Sequence, residues 1–502
     1  MSLPFTILLP LVFSILSPYF VSLTHSNFAR LGITISPTPR PTKKVEASTD
    51  YDLKFFYYDQ NLDHFTFTPE SYKTFQQRYA IDSTHWAGAK ANAPILAFLG
   101  EESSLEGDLF GVGFFQENGP RLKALLVYIE HRYYGKSMPF GSAKEALKNA
   151  STLGYLTAAQ ALADYAAILL HVKEKYSAKH SPIIVVGASY GGMLAAWFRL
   201  KYPHIALGAL ASSAPLLYFE DTRPKFGYYY IITKVFKETS ERCYKTIRTS
   251  WDEIDRVAAK SNGLLILSKK FKTCAQLSRS FDIKDFLDSI YAEAVQFNRN
   301  PGDWVTTICN AINKNPPNRK NDVLDRILAG VVAYLGNRSC YDTDLFVRPS
   351  NISIAWGWQG CTEIVMPIGY DKQDTMFQTA PFNMTSFIDD CKSNYGVSPR
   401  PHWITTYFGI QDVKLILRRF GSNIIFSNGL ADPYSVAGVL EDVSDSVVAI
   451  KTVNGTHSQD LGWSRNEDPE WLVMQRKKET DFIDSWISTS GRTLVSPITI
   501  PD

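Results

Sequence analysis

The chain has 502 residues, of which 45% are hydrophobic and 20% charged, and a net charge of +2. That composition suits a protein with a large buried core, and it gives no charge case for nucleic acid or an acidic membrane surface as a partner. The length allows one large domain with an insertion, or two to three domains.

In chain order, the first segment is MSLPFTILLPLVFSILSPYFVSLTHS, apolar and then polar. This pattern predicts a secretory signal peptide over 1–26, removed near Leu23 to Ser26. Two prolines and the small, polar ending argue against a membrane anchor. No other run is long and apolar enough to cross a bilayer, so no membrane insertion is expected after removal. Residues 27–50 are rich in Pro, Thr, Ser and Lys and read as a linker or pro-segment, because they cannot build a core.

Leu53 to Tyr58 and Thr74 to Ile81 alternate in hydrophobicity and predict an antiparallel edge. Short apolar runs follow at Ile95–Leu99, Leu125–Ile129, Ile183–Val186, Leu207–Leu210, Ile424–Phe426 and Val447–Ile450. Such runs fit a parallel sheet covered on both faces. Helical patterns alternate with them at Ala158–Glu174, Met193–Lys201 and Pro469–Trp486, which predicts an α/β class. From Phe219 to Arg400 the strand runs stop and helical periodicity dominates. The expected domains are therefore a core in two parts, 51–218 and 401–502, around a helical cap at 219–400.

All six cysteines fall in that cap: Cys243, Cys274, Cys309, Cys340, Cys361 and Cys391. An even count in a secreted chain implies disulfides. No C-x-x-C and no nearby histidine pair supports a metal, and no cofactor is indicated. Sequons at Asn149, Asn337, Asn351, Asn383 and Asn454 agree with the secretory pathway.

Gly187-Ala188-Ser189-Tyr190-Gly191 reads G-x-S-x-G between the strand run at 183–186 and the helical run from 193. Strand, tight turn and helix with Ser at the turn make the nucleophile elbow of α/β-hydrolases. The Tyr190 N–H then faces a developing oxyanion. A second donor is expected after Ile95–Leu99, from Glu101 or Glu102. A serine nucleophile needs a base, and the base needs an orienting carboxylate. Chain order Ser, Asp, His selects His457, after the last strand run, and Asp432, in the turn after Ile424–Phe426. Asp460 is a rival acid, and His131 and Arg132 read as a structural anchor.

These residues together resemble the prolyl carboxypeptidase family of serine peptidases, from about Asp50 to Ile487. Glu130-His-Arg-Tyr-Tyr-Gly135 and Gly187-Ala-Ser-Tyr-Gly-Gly-Met-Leu194 carry the likeness most specifically. Cys361-Thr-Glu363 with Met366-Pro367, Ser427-Asn-Gly429 with Asp432-Pro433, and Gly455 with His457 and Asp460-Leu461 add to it. Within that family the chain looks like the plant lysosomal Pro-X carboxypeptidase-like group.

The resemblance implies an α/β-hydrolase core with a disulfide-linked helical cap. It implies a serine exopeptidase that acts on peptides at a proline-adjacent bond and releases the C-terminal residue after a penultimate proline. It carries over the triad Ser189, Asp432 and His457. It implies pairing of Cys243 with Cys309, Cys274 with Cys340 and Cys361 with Cys391. Met193, Met366 and Tyr434 would line the proline pocket, with Glu363 near the substrate. Lysosomal, vacuolar or extracellular destinations and a homodimer are compatible with it. The family's Arg after Asp-Leu is here Gly462. A dipeptidyl-peptidase would need an acidic pair for an N-terminal ammonium, with Glu363, Asp389 and Asp390 available. A third reading is a non-enzymatic secreted binding protein on a hydrolase fold.

Overall fold

The computed structural model describes residues 53–219, 225–299, 303–314, 322–370 and 375–493. The expected signal peptide and linker lie outside them. Eight strands form one sheet: β1 (Leu53–Asn61), β2 (Thr74–Asp82), β3 (Ile95–Leu99), β4 (Leu125–Ile129), β5 (Ile183–Ala188), β6 (Gly208–Ser212), β7 (Ile424–Gly429) and β8 (Val447–Thr452). Their spatial order is β1-β2-β4-β3-β5-β6-β7-β8. β1 pairs antiparallel with β2, and β2 with β4. Every later pairing is parallel. This is an α/β-hydrolase core.

The interior strands are uniformly apolar because both faces are covered. Ile95, Ala97 and Leu99 belong to one apolar cluster with the helices Ala158–Lys175 and Ser189–Lys201. Leu96 and Phe98 point to the other face, among Phe114, Phe115, Ile483 and Trp486. The twofold alternation of a strand delivers neighbouring residues to opposite layers.

One buried ion pair pins the antiparallel edge to the first layer of helices. Arg132 Nε and Nη2 donate to the two Asp164 oxygens, each at 2.6 Å. Its remaining donors reach the carbonyls of Asn61, Leu62 and Tyr155. All five guanidinium N–H groups are used, which is what a buried arginine requires. Arg132 is thus the structural anchor its place after a buried strand suggests.

Between β6 and β7 the described residues form helices and no strand of the sheet. This helical region meets the loops at the carboxyl ends of the strands: Leu217 N donates to Ala437 O, and His457 N to Gln296 O. Three disulfides staple it, Cys243–Cys309, Cys274–Cys340 and Cys361–Cys391, the same pairs that the resemblance implies. The third ties the helix Asn351–Thr362 to the helix Met384–Tyr395.

Replacing Cys361 and Cys391 together by Ser removes a cross-link closing a 30-residue separation. The expected loss is about 3 kcal/mol of stability, read as a lower urea midpoint at unchanged slope. An unchanged midpoint would show that this bridge does not hold the two helices.

Candidate active site

Ser189 is the first residue of the helix that follows β5, and its φ is +52°. A side-chain-bearing residue takes that left-handed conformation at a cost of about 1–3 kcal/mol, so the surroundings must impose it. They do so through close packing. A Cβ on Gly187 would lie 2.0 Å from Gly191 O, and one on Gly192 2.7 Å from Ser212 O. Only glycine allows strand, turn and helix to approach this far. The turn leaves Ser189 at the carboxyl edge of the sheet, 7% exposed. The Tyr190 N–H stands in the first turn of the helix, where intrahelical acceptors are absent.

Two further loops at the same edge are pressed together. A Cβ on Gly429, at the end of β7, would lie 2.1 Å from the carbonyl carbon of Gly455, after β8. Ala431 N donates to Gly455 O at 3.0 Å. This contact brings Asp432 from one loop against His457 from the other. His457 Nδ1 and Asp432 Oδ2 are 2.8 Å apart, and both side chains are buried. The second oxygen, Oδ1, accepts the Tyr434 N–H at 3.0 Å. A carboxylate only accepts, so the Nδ1 proton faces it and Nε2 is left as a lone-pair acceptor. Nε2 is buried and makes no hydrogen bond among the described residues. Asp460 is elsewhere: its Oδ1 accepts the Ser212 hydroxyl at 2.7 Å, and burial raises its pKa.

Behind Tyr190 lies a relay of side chains that sequence reasoning missed. Gln359, on the helix Asn351–Thr362, donates to the Tyr190 hydroxyl at 2.8 Å and to Glu363 Oε1 at 3.1 Å. Its Oε1 accepts the Tyr134 hydroxyl at 2.6 Å. His131 Nδ1 donates to the Arg132 carbonyl at 2.6 Å, so its Nε2 accepts the Tyr190 hydroxyl at 3.2 Å. Burial lowers the His131 pKa to about 4, which keeps that ring neutral. Every donor of the Gln359 amide is thereby used. The helical region grips the residue beside Ser189 through this glutamine.

Glu363 has a defined job in the same relay. Its two oxygens accept the Ala158 N–H at 2.8 and 3.1 Å, at the start of the helix Ala158–Lys175. Burial pushes its pKa up to about 7, outweighing its hydrogen bonds and the Arg400 charge, which pull the other way. The acidic group considered for an N-terminal ammonium is committed to a helix end, while Asp389 lies exposed.

Met193, Met366 and Tyr434 are all buried in one apolar cluster with Tyr190 and Trp356. The Tyr434 and His457 rings are 5.6 Å apart, and Tyr190 and Trp356 5.5 Å. Glu101 follows β3 beside the first turn of the elbow helix: a Cβ on Gly191 would lie 3.4 Å from Glu101 Cβ. Burial, then the neighbouring Glu102 and Asp108, raise the Glu101 pKa well above the usual carboxylate range.

Comparison with known proteins agrees with this architecture. The family model "Serine carboxypeptidase S28" matches residues 60–479. The chain is 35% identical over 496 residues to the Lysosomal Pro-X carboxypeptidase of Homo sapiens, covering 96% of this chain and 97% of that one. It is 31% identical over 499 residues to Prolyl carboxy peptidase like protein 5 of Caenorhabditis elegans, covering 91% and 94%. The Thymus-specific serine protease of Mus musculus is 27% identical over 464 residues, 86% of each chain. The chain belongs to the serine carboxypeptidase S28 family and is a serine-type peptidase acting on peptide substrates.

Proposed function

We propose that this protein is a Pro-X carboxypeptidase in which Ser189 is the nucleophile, His457 the general base and Asp432 the residue that orients the base. The observation that carries the proposal is the open His457 Nε2 at the end of a buried Asp–His pair, on the edge where the elbow presents Ser189. The Ser189 hydroxyl attacks the scissile carbonyl and gives its proton to Nε2. Asp432 then faces an imidazolium, whose charge it stabilises. The carbonyl oxygen becomes an oxyanion, held by the N–H groups of Tyr190 and Glu101. Nε2 returns the proton to the departing amine, which leaves an acyl-enzyme for water to hydrolyse.

Proline has φ fixed near −65° and lacks an N–H, so its pocket needs shape and little hydrogen bonding. Met193 and Met366 supply a soft apolar wall and Tyr434 a flat one. Glu363 acts at one remove, by holding Gln359 and through it Tyr190. The relatives named for Pro-X carboxypeptidase activity support this specificity.

The same reading places the protein in the secretory pathway, bound for a lysosome, a vacuole or the cell exterior. Three disulfides and five exposed sequon asparagines support it. Among the described residues no helix is long and apolar enough to cross a membrane.

Ser189→Ala abolishes turnover, and Asp432→Asn lowers kcat by about a thousandfold or more, because the wrong imidazole tautomer is favoured. A drop below about tenfold for Asp432→Asn would mean that another group orients His457.

Tyr434→Trp changes the ratio of kcat/KM for Pro- and Ala-containing peptides. An unchanged ratio would remove Tyr434 from the pocket.

Stability follows the buried acids. Glu363 has a folded pKa near 7 against 4.5 unfolded. It holds a proton in the folded chain that the unfolded chain releases, so its contribution favours acid pH and is lost as pH rises through 7. Glu101, Asp108 and Glu479 are raised by burial and act in the same sense. His131 opposes them, but only below its unfolded pKa of 6.5. Tm therefore falls between pH 6.5 and about 8, measured by differential scanning calorimetry. A rise over that window would contradict the assignment.

A further inference from the structure

Arg299 lies just beyond the helix Ser280–Gln296, half-buried. The same short stretch touches the proposed base twice. Gln296 O accepts the His457 N–H at 3.1 Å, and the Phe297 ring is 6.0 Å from the imidazole. The Arg299 guanidinium is 5.4 Å from the centre of that Phe297 ring. It is therefore one side chain removed from His457.

An arginine so placed ordinarily has a carboxylate or a set of carbonyls for its five donors. Arg132 in this molecule has such a set. The Arg299 guanidinium makes no hydrogen bond or ion pair with any described residue. The nearby Asp460 accepts from Ser212 instead. The charged group acting on it most is Arg465, which repels it, and only then Asp460. With burial as the main cause, its pKa is lowered to about 10, so it stays a cation wherever the enzyme works. A Cβ on Gly462 would lie 3.7 Å from Arg299 Nη1, and no side chain fills that position.

The chemistry of the proposed reaction says what this cation faces. His457 protonates the departing nitrogen, so the released residue lies on the His457 side of the scissile bond. The α-carboxylate of a C-terminal residue is two bonds from that nitrogen. We propose that Arg299 is the anchor for the α-carboxylate of the peptide's C-terminal residue, seated in the space that Gly462 leaves open. This inference rests on the carboxypeptidase reading and adds the residue that lets the enzyme recognise a chain end. Recognition makes and breaks no covalent bond, so the proton path through His457 is unaltered.

The test compares an N-blocked Pro-Phe dipeptide carrying a free C-terminal carboxylate with its C-terminal amide. Wild type prefers the acid. Arg299→Met lowers kcat/KM for the acid by about 10- to 100-fold, the loss of a charge-assisted pair of hydrogen bonds, and leaves the slower amide within about threefold. Labelling of the nucleophile by a fluorophosphonate reports that the variant is folded. A second variant leaves Arg299 in place. Gly462 has φ −68° and ψ 170°, open to any L-residue, and a Cβ there would meet its nearest atoms at 3.5 and 3.7 Å, ordinary contact distances. Gly462→Asp sets a carboxylate against Arg299 and produces the same selective loss on the acid. If Arg299→Met does not fold, Gly462→Asp decides alone. An unchanged acid-to-amide ratio in the folded variants, or an equal loss on both substrates, overturns the proposal. A wild type that shows no preference for the acid instead overturns the carboxypeptidase reading beneath it.

Discussion

A carboxylate and an imidazole 2.8 Å apart, both closed off from water, set the terms for the rest of this molecule. Such a pair is costly to bury unless its geometry is fixed and its remaining valences are filled. Here Asp432 fills its second oxygen with the Tyr434 N–H, and His457 is tied through its backbone to Gln296. The loops that carry the pair come from neighbouring parallel strands, and two glycines let them touch. Among the described residues, His457 Nε2 finds no hydrogen-bond partner. The close packing of the fold keeps that one acceptor buried and available.

The helical region does more than roof the site. Gln359 reaches from its helix to the hydroxyl of Tyr190, and Glu363, which caps that helix, also holds the start of the helix Ala158–Lys175. The residue beside the proposed nucleophile is thus held from behind by a segment more than 160 positions away in sequence. The relay is fully satisfied with Glu363 as an acceptor. Burial outweighs those bonds and the nearby Arg400 charge, so the acid keeps a pKa near 7. Several other buried carboxyls share that upward direction.

The parts of this molecule legible in its sequence are those dictated by local sterics. The elbow was readable because Gly187, Gly191 and Gly192 are demanded by a strand and helix in contact, and the strand runs were readable because burial on both faces makes them uniformly apolar. Chain order then placed Asp432 and His457 in loops that the sheet brings side by side. Gln359 and Arg299 were not readable, because their meaning lies in contacts between distant segments. The helix bearing Gln359 scatters its polar residues without separating a polar from an apolar face, so periodicity could not say which side meets the core. The placing of Glu363 near the substrate comes from the resemblance alone, and its oxygens are turned to the Ala158 N–H and Gln359. An arginine after a helix looks like any surface charge until the position that Gly462 leaves without a side chain is seen beside it.

The central claim is that one serine, on the strained turn, is made nucleophilic by the buried pair. The most direct measurement is to react the folded protein with a fluorophosphonate and locate the covalent adduct by peptide mass spectrometry. A single adduct is expected, on the peptide carrying Ser189, and it is lost when His457 is replaced by Ala. An adduct on another serine, or labelling of Ser189 that persists at full rate without His457, would contradict the claim.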